Sequence, residues 1–317
     1  MRVLVTGGAG FIGSHIVGAL LDRGADVVVL DDLSTGRAGN VPPAAQLVEG
    51  DVTDEVALQA AVRGCEIVFH DAARRSVQQS VGAPMDNDHV NTHGTLGVLV
   101  AARQAGARRV VLASSSSVYG GAGEGQTSET AALTPRSPYA VSKLAGEHYA
   151  RVFAELYGLE TVSLRYFNVY GPRQDPASQY AAVIPLFIDA LVRGQPPQVN
   201  GDGLQSRDFT YVADAVSANL CAAQAPADVC SGRVYNVARG ETHTLLDLLD
   251  QLRRVLDVDI AAWHADPLPG DIRHSHADIS AAREDLGYRP QVPFADGLAR
   301  TLAWFKASAQ ASGSTAG

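Results

Sequence analysis

Cysteine is scarce in this chain. Three are present in 317 residues, Cys65, Cys221 and Cys230, an odd number with no CxxC pair. That pattern argues against a disulfide framework and a structural zinc site, and it fits a reducing compartment. Basic residues are also in deficit: 25 Lys and Arg against 34 Asp and Glu give a net charge of −9. A general nucleic-acid or anionic-membrane binder is disfavoured, although a few placed arginines and helix N-termini still hold a phosphate. No apolar run approaches the roughly 18 residues of a membrane span. The N-terminus carries no basic segment, apolar core and cleavage site, so a soluble, cytoplasmic protein is expected. The histidines His70, His89, His93, His148 and His243 are scattered, and His274 and His276 lack an acidic partner at ligand spacing, so no metal is expected.

What is present is apolar content, 46% of the chain, enough to bury a sizeable core and to exclude disorder over most of its length. At about 150 residues per domain the length suggests two domains or one large α/β unit. Val3–Val5, Val27–Leu30, Ile67–Phe69 and Val110–Leu112 are short and rich in β-branched residues, so they read as buried parallel strands, and Thr161–Tyr166 reads as another strand. Ile16–Arg23, Val90–Ala105 and the stretch from Tyr139 towards Tyr157 read as helices. The alternation predicts an α/β fold, a Rossmann-type doubly wound parallel sheet, with a smaller, mixed C-terminal domain. The boundaries drawn are a dinucleotide domain at 1–168 with a return segment near 208–238, and a substrate lobe from 169–207 and 239–317. Ser308–Gly317, all small or polar, reads as a frayed tail.

Gly7, Gly10 and Gly13 follow the first strand at GxxGxxG spacing, with Phe11 and Ile12 opening the first helix. Bare backbone there lets a diphosphate approach free N–H groups and the positive end of the helix dipole. Asp31 follows the second strand, which ends at Leu30, and a carboxylate there accepts ribose hydroxyls and repels a 2′-phosphate. NAD is therefore favoured over NADP, with Arg37 nearby as the contrary sign. Asp51 and Val52 are candidates for the adenine edge, although an Asp in a turn is ordinary.

Tyr139 and Lys143 stand four apart, on one face of a helix. A phenol with a pKa near 10 is a poor base, but an adjacent ammonium stabilises the phenolate. YxxxK alone is common on surface helices. The serine run Ser114–Ser117 at a strand end adds a hydroxyl to hydrogen-bond a reacting oxygen.

Five blocks in order carry a resemblance: Thr6-Gly7-Gly8-Ala9-Gly10-Phe11-Ile12-Gly13, Ser114-Ser115-Ser116-Ser117-Val118-Tyr119-Gly120, Ser137-Pro138-Tyr139-Ala140-Val141-Ser142-Lys143, Leu164-Arg165-Tyr166-Phe167-Asn168-Val169-Tyr170-Gly171-Pro172 and Arg207-Asp208-Phe209-Thr210-Tyr211-Val212-Ala213-Asp214. Together they span most of the chain. The sequence resembles the extended short-chain dehydrogenase/reductases, specifically the nucleotide-sugar 4-epimerases. The resemblance implies bound NAD, a UDP-sugar substrate and inversion at C4 through a 4-keto sugar. Ser115, Tyr139 and Lys143 would be catalytic. Ala72, Ala73, Arg75, Asn91 and Tyr166 would join the cofactor contacts, and Ser116, Ser117, Asn168, Arg207, Arg273 and Ser275 the substrate. Asn91 also suits a helix cap or turn.

The related 4,6-dehydratases and decarboxylases carry an acidic residue just before the Val-Tyr-Gly step, where this chain has Ser115-Ser116-Ser117. That favours epimerisation over a lyase, and the intact Ser115, Tyr139 and Lys143 disfavour a non-catalytic NAD sensor. Leu268 stands where many members place a second arginine, and Arg273 is the replacement, since a diphosphate needs compensating charge. Ser275 stands at a gatekeeper position, where a small residue admits a 2-acetamido group without excluding UDP-glucose. Arg74 and Arg75 suit a cofactor diphosphate better than a glucuronate carboxylate, the other reading. Homodimerisation through Val90–Ala105 and Tyr139–Tyr157 is implied by the family alone.

Overall fold

A computed structural model of the chain describes residues 1–121, 125–175, 182–267 and 272–313. Seven parallel strands form the central sheet. The first half contributes β1 Arg2–Thr6, α1 Phe11–Leu21, β2 Asp26–Asp31, β3 Gln46–Glu49, α2 Glu55–Val62, β4 Ile67–His70, α3 Val77–Gly82, α4 Pro84–Asp88, α5 Gly94–Gln104, β5 Arg109–Ser115, α6 Pro138–Tyr157 and β6 Glu160–Tyr166. The chain then leaves the sheet and returns with helix Val212–Gln224 and strand Arg233–Val237, which pairs in parallel with β6. Strand order is Arg233–Val237, β6, β5, β4, β1, β2, β3. The order reverses at β1, which is where an open α/β sheet leaves a crevice at its carboxyl edge.

Each face of the sheet owns a core. Val3, Val5, Val27, Val29 and Phe69 pack with α1 and helix Val212–Gln224. Leu4, Val28, Leu30 and Val68 pack with α2 and α5 on the other face. The alternation of β1 and β2 between faces follows from the two-residue period of a strand. A third core, built around Tyr170, Phe187, Phe209, Leu248 and Phe294, belongs to the lobe made by helices Val183–Val192, Leu245–Leu256 and Phe294–Gly313. Phe11, the first residue of α1, is buried in this third core and ties the lobe to the mouth of the crevice.

Three sequence expectations change. The edge strand β3 was not foreseen: Gln46 and Glu49 leave it two apolar residues and no face that is fully buried. The helix expected over Val90–Ala105 begins earlier, at Pro84, and passes through a π-turn at His89–His93. The tail expected from Ser308 is helical as far as Gly313, because it continues the helix begun at Phe294, whose early residues Leu298 and Leu302 are buried.

The helix α6 is fixed to the sheet by charge. Arg165 on β6 donates through Nε and Nη2 to both Glu147 carboxylate oxygens, at 2.8 and 2.7 Å, with both side chains 3% exposed. Ser114 on β5 donates to the same carboxylate. The free edge of Arg165 donates to Tyr119 Oη at 2.8 Å, and that hydroxyl donates to Asn236 at 2.7 Å. Breaking a buried pair strands a charge in low dielectric. Arg165→Met should therefore lower the unfolding free energy by about 3–5 kcal/mol in urea titrations, and adding Glu147→Leu should recover most of that loss.

Candidate active site

One cleft runs across the carboxyl edge of β1, β2, β4 and β5. Its walls include Gly7, Gly10, Phe11, Ile12, Asp31, Asp51, Val52, Ala72, Ala73, Arg75, Ser115, Tyr139, Lys143 and Tyr166, all singled out from the sequence.

The floor is made by the first glycines. Gly7 sits at φ +71°, and a Cβ there would lie 2.7 Å from the Ala72 nitrogen. A Cβ on Gly10 would come within 3.1 Å of the Gly7 carbonyl oxygen, and one on Gly13 would collide with that carbonyl. Gly13 thus serves close packing of α1 on the β1 turn and forms no part of the cleft wall. Side chains would fill this cradle, so the residues present suit a diphosphate lying against the N-terminus of α1. The Asp31 carboxylate accepts N–H bonds from Ala9 and Leu33, both at 2.9 Å, and burial pushes its carboxyl up. Arg37, the residue that left NADP open, faces Asp175 at 3.3 Å. The Asp51 carboxylate accepts from the Thr53 amide and hydroxyl, which holds the turn that presents Val52.

At the other end of the cleft, α6 brings Tyr139, Lys143 and Glu147 to one face at four-residue spacing. Lys143 Nζ donates to the Ala113 carbonyl at 2.9 Å and stands 6.0 Å from the centre of the Tyr139 ring. Burial raises the Tyr139 phenol, with hydrogen bonding to Ser115 and the charge of Arg75 opposing it. The Asp71 carboxyl nearby raises the phenol further. Burial also lowers Lys143 to about 8, countered by Asp71 and Glu147. His70 stays neutral, held between Thr6 Oγ1 at 2.7 Å and Thr95 Oγ1 at 2.9 Å, with its pKa lowered to about 3 by burial and Lys143.

Ser115 Oγ accepts the Ser117 amide at 3.2 Å, which turns Ser116 and Ser117 along the 3₁₀ segment Ser116–Tyr119. Asn91 lies behind the cleft wall, 2% exposed, in the π-turn. Its carboxamide accepts from the Arg74 amide at 2.7 Å and donates to the Arg74 carbonyl at 3.0 Å. It therefore grips the loop that lines the cleft instead of facing into it. Arg207, Arg273 and Ser275 meet on a small sheet: Ser275 pairs with Arg207, and the Arg273 carbonyl accepts the Ser206 amide. Asn168, at φ +37°, donates to the neighbouring Asp208 carbonyl at 3.0 Å. Arg273 makes two bonds to Asp202, at 2.6 and 2.8 Å, which hold the Asp202 carboxyl down at about 2. Leu268 lies outside the described residues.

Arg74, read with Arg75 as a candidate for the cofactor diphosphate, lines the cleft with its guanidinium 2.6 Å from Ser34 Oγ, 3.4 Å from Asp32 and 3.7 Å from Asp86. One cleft residue escaped the sequence reading. Asp71, at the end of β4, places a carboxyl among Lys143, Tyr139 and Arg75, and burial pushes it up to about 7 against the charge of Lys143. An acid after a strand is ordinary in sequence, and nothing there marks Asp71 as facing the cleft.

Comparison with known proteins agrees with this geometry. Residues 3–238 match the model of the NAD dependent epimerase/dehydratase family. The chain is 41% identical over 318 residues to the UDP-glucose 4-epimerase of Mycolicibacterium smegmatis, covering 98% of this chain and 100% of that one. It superposes on the Thermotoga maritima UDP-glucose 4-epimerase solved with UDP-glucose, with a TM-score of 0.93, 36% identity and coverage of 98% and 100%. A UDP-N-acetylglucosamine 4-epimerase from Methanobrevibacter ruminantium, in complex with UDP-N-acetylmuramic acid, gives a TM-score of 0.91 at 40% identity, covering 97% and 98%. The chain belongs to the NAD dependent epimerase/dehydratase family.

The glycine geometry makes a paired prediction. Gly13→Ala should purify with little bound dinucleotide, as read by nucleotide content after denaturation, because α1 must shift off the Gly7 carbonyl. Gly18, in the same helix, has nothing within 4 Å of a built Cβ, so Gly18→Ala should keep the nucleotide and gain about 0.5–1 kcal/mol in stability.

Proposed function

We propose that this member of the family is an NAD-dependent UDP-sugar 4-epimerase, with Ser115, Tyr139 and Lys143 as its catalytic residues. The observation that carries the reading is their convergence in one cleft with the glycine cradle and Asp31. The Ser115–Ser117 segment offers hydroxyls and no carboxylate, which favours epimerisation over elimination.

The cradle of Gly7, Gly10, Phe11 and Ile12, with Gly13 packing α1 beneath it, would receive the dinucleotide diphosphate, and Asp31 would accept the adenosine ribose hydroxyls. Asp51 and Val52 border the adenine, while Ala72, Ala73, Arg75 and Tyr166 line the wall, with Asn91 holding the loop from behind. When bound, NAD supplies the acceptor and later the donor for the C4 hydride. Tyr139 takes the C4 hydroxyl proton and returns it after the keto sugar has presented its other face. Ser115 hydrogen-bonds the same oxygen, and Lys143 supplies a nearby positive charge that offsets the cost of the buried phenolate.

For the substrate, Arg207 and Arg273 answer the UDP diphosphate, and Asp202 competes with it for Arg273. Asn168, Ser116, Ser117 and Ser275 surround the sugar. Ser275 is small and half-buried, and a small side chain there admits a 2-acetamido group, so UDP-glucose and UDP-N-acetylglucosamine are the substrates to try first.

A homodimer through α5 and α6 is part of this proposal. Val100, Val141, Leu156 and Tyr157 are exposed on those helices. An exposed apolar surface of this kind marks an association face. Among the described residues no helix is long and apolar enough to cross a membrane.

Proton NMR of the purified protein with each UDP-sugar should reveal the C4 epimer without loss of mass. Release of water or CO2 would move the chain to the lyases. Tyr139→Phe should reduce turnover by about 10²–10⁴-fold with the fold intact. Sedimentation at micromolar protein should give a dimer, and Leu156→Glu should shift it towards monomer.

A further inference from the structure

Asp71 is a carboxyl in the catalytic end of the cleft that the mechanism above does not use. Its backbone amide donates to the Thr6 carbonyl at 3.1 Å. Its own carbonyl carbon lies 2.9 Å from where a Gly7 Cβ would stand. The same turn that builds the phosphate floor therefore fixes Asp71 beside it. Unlike Glu147, which Arg165 locks in place, Asp71 faces the cavity shared with Ser115, Tyr139, Lys143 and Tyr166.

A carboxylate in that position opposes a diphosphate, since like charges repel. Arg75, four residues along the same loop, offsets part of that repulsion. A dinucleotide of this kind contains one cation, the oxidised nicotinamide ring, and the reduced ring is neutral. The ring is therefore the part that gains from an anion at the Lys143 end.

We propose that Asp71 biases the bound cofactor towards its oxidised form. The inference rests on the reading above that the nicotinamide lies at the Lys143 end of the cleft. In the forward half-reaction C4 gives up a hydride, two electrons and a hydrogen, while its hydroxyl proton goes to Tyr139. The reverse half returns both. A fixed negative charge favours the state in which the hydride is back on carbon, so the keto sugar is short-lived and the protein is not left in its reduced form.

The groups that face Asp71 are Lys143 and Tyr139 from α6, Arg75 from its own loop, Tyr166 from β6, Asp31 from β2 and the Gly13 amide from α1. Among the charged members, burial raises the carboxyls of Asp71 and Asp31 and lowers Lys143.

The test is the ratio of the NADH and NAD+ dissociation constants, measured by calorimetry without sugar on wild type, Asp71→Asn and Asp71→Glu. Asp71→Asn should lower that ratio at least about tenfold, the scale of removing one charge about 10 Å away at an effective dielectric near 20. Asp71→Glu should restore most of the wild-type ratio. On adding UDP-sugar, Asp71→Asn should also accumulate more reduced cofactor, read by its near-ultraviolet absorbance. An unchanged ratio in Asp71→Asn overturns the proposal. Should that variant bind neither nucleotide, the wild type decides: its ratio should rise between about pH 6 and 8 as Asp71 ionises, and a flat profile overturns the proposal equally. No sugar is needed for the ratio, so an absence of epimerase activity would sink the substrate reading and leave this result standing.

Discussion

The buried bidentate contact between Arg165 and Glu147 is the constraint on which the catalytic end depends. Glu147 lies one turn beyond Lys143, and Lys143 one turn beyond Tyr139, so fixing the carboxylate fixes the rotation of α6. Ser114 reaches the same carboxylate from the strand that carries Ser115. Helix and strand are therefore referenced to one charged group, and the distance between the Tyr139 phenol and the Ser115 hydroxyl is set from behind. Hydrophobic packing alone would let α6 slide or roll, because dispersion contacts have little directionality.

Electrostatics divide the cleft into two ends. At the end beside β2, Asp31 is tied to backbone amides and Arg74 is spread over Ser34, Asp32 and Asp86. At the catalytic end, Lys143 and Asp71 are both pressed towards neutrality by burial and hold each other charged.

Much of this was legible in the sequence because its signals are local. Gly7, Gly10 and Gly13 are spaced by the geometry of one turn, and Tyr139 and Lys143 by one turn of helix. Asp31 was visible because it closes an apolar run. What stayed hidden depends on contacts between distant segments. Asp71 reads as an ordinary acid until the glycine turn is seen beneath it. Asn91 reads as a cofactor contact until the π-turn rotates its carboxamide onto Arg74. The edge strand β3 has too little apolar surface to announce itself, since its partner β2 supplies the ladder.

Phe11 belongs to two bodies at once. Its backbone opens the helix that rises from the glycine turn, and its side chain belongs to the same buried cluster as Phe187, Leu249 and Phe294 in the core of the smaller lobe. A rocking motion of that lobe would pull on the first turn of α1 through this ring. The smaller lobe and the glycine turn thus share one side chain, and a change in the packing of either is felt at the first turn of α1.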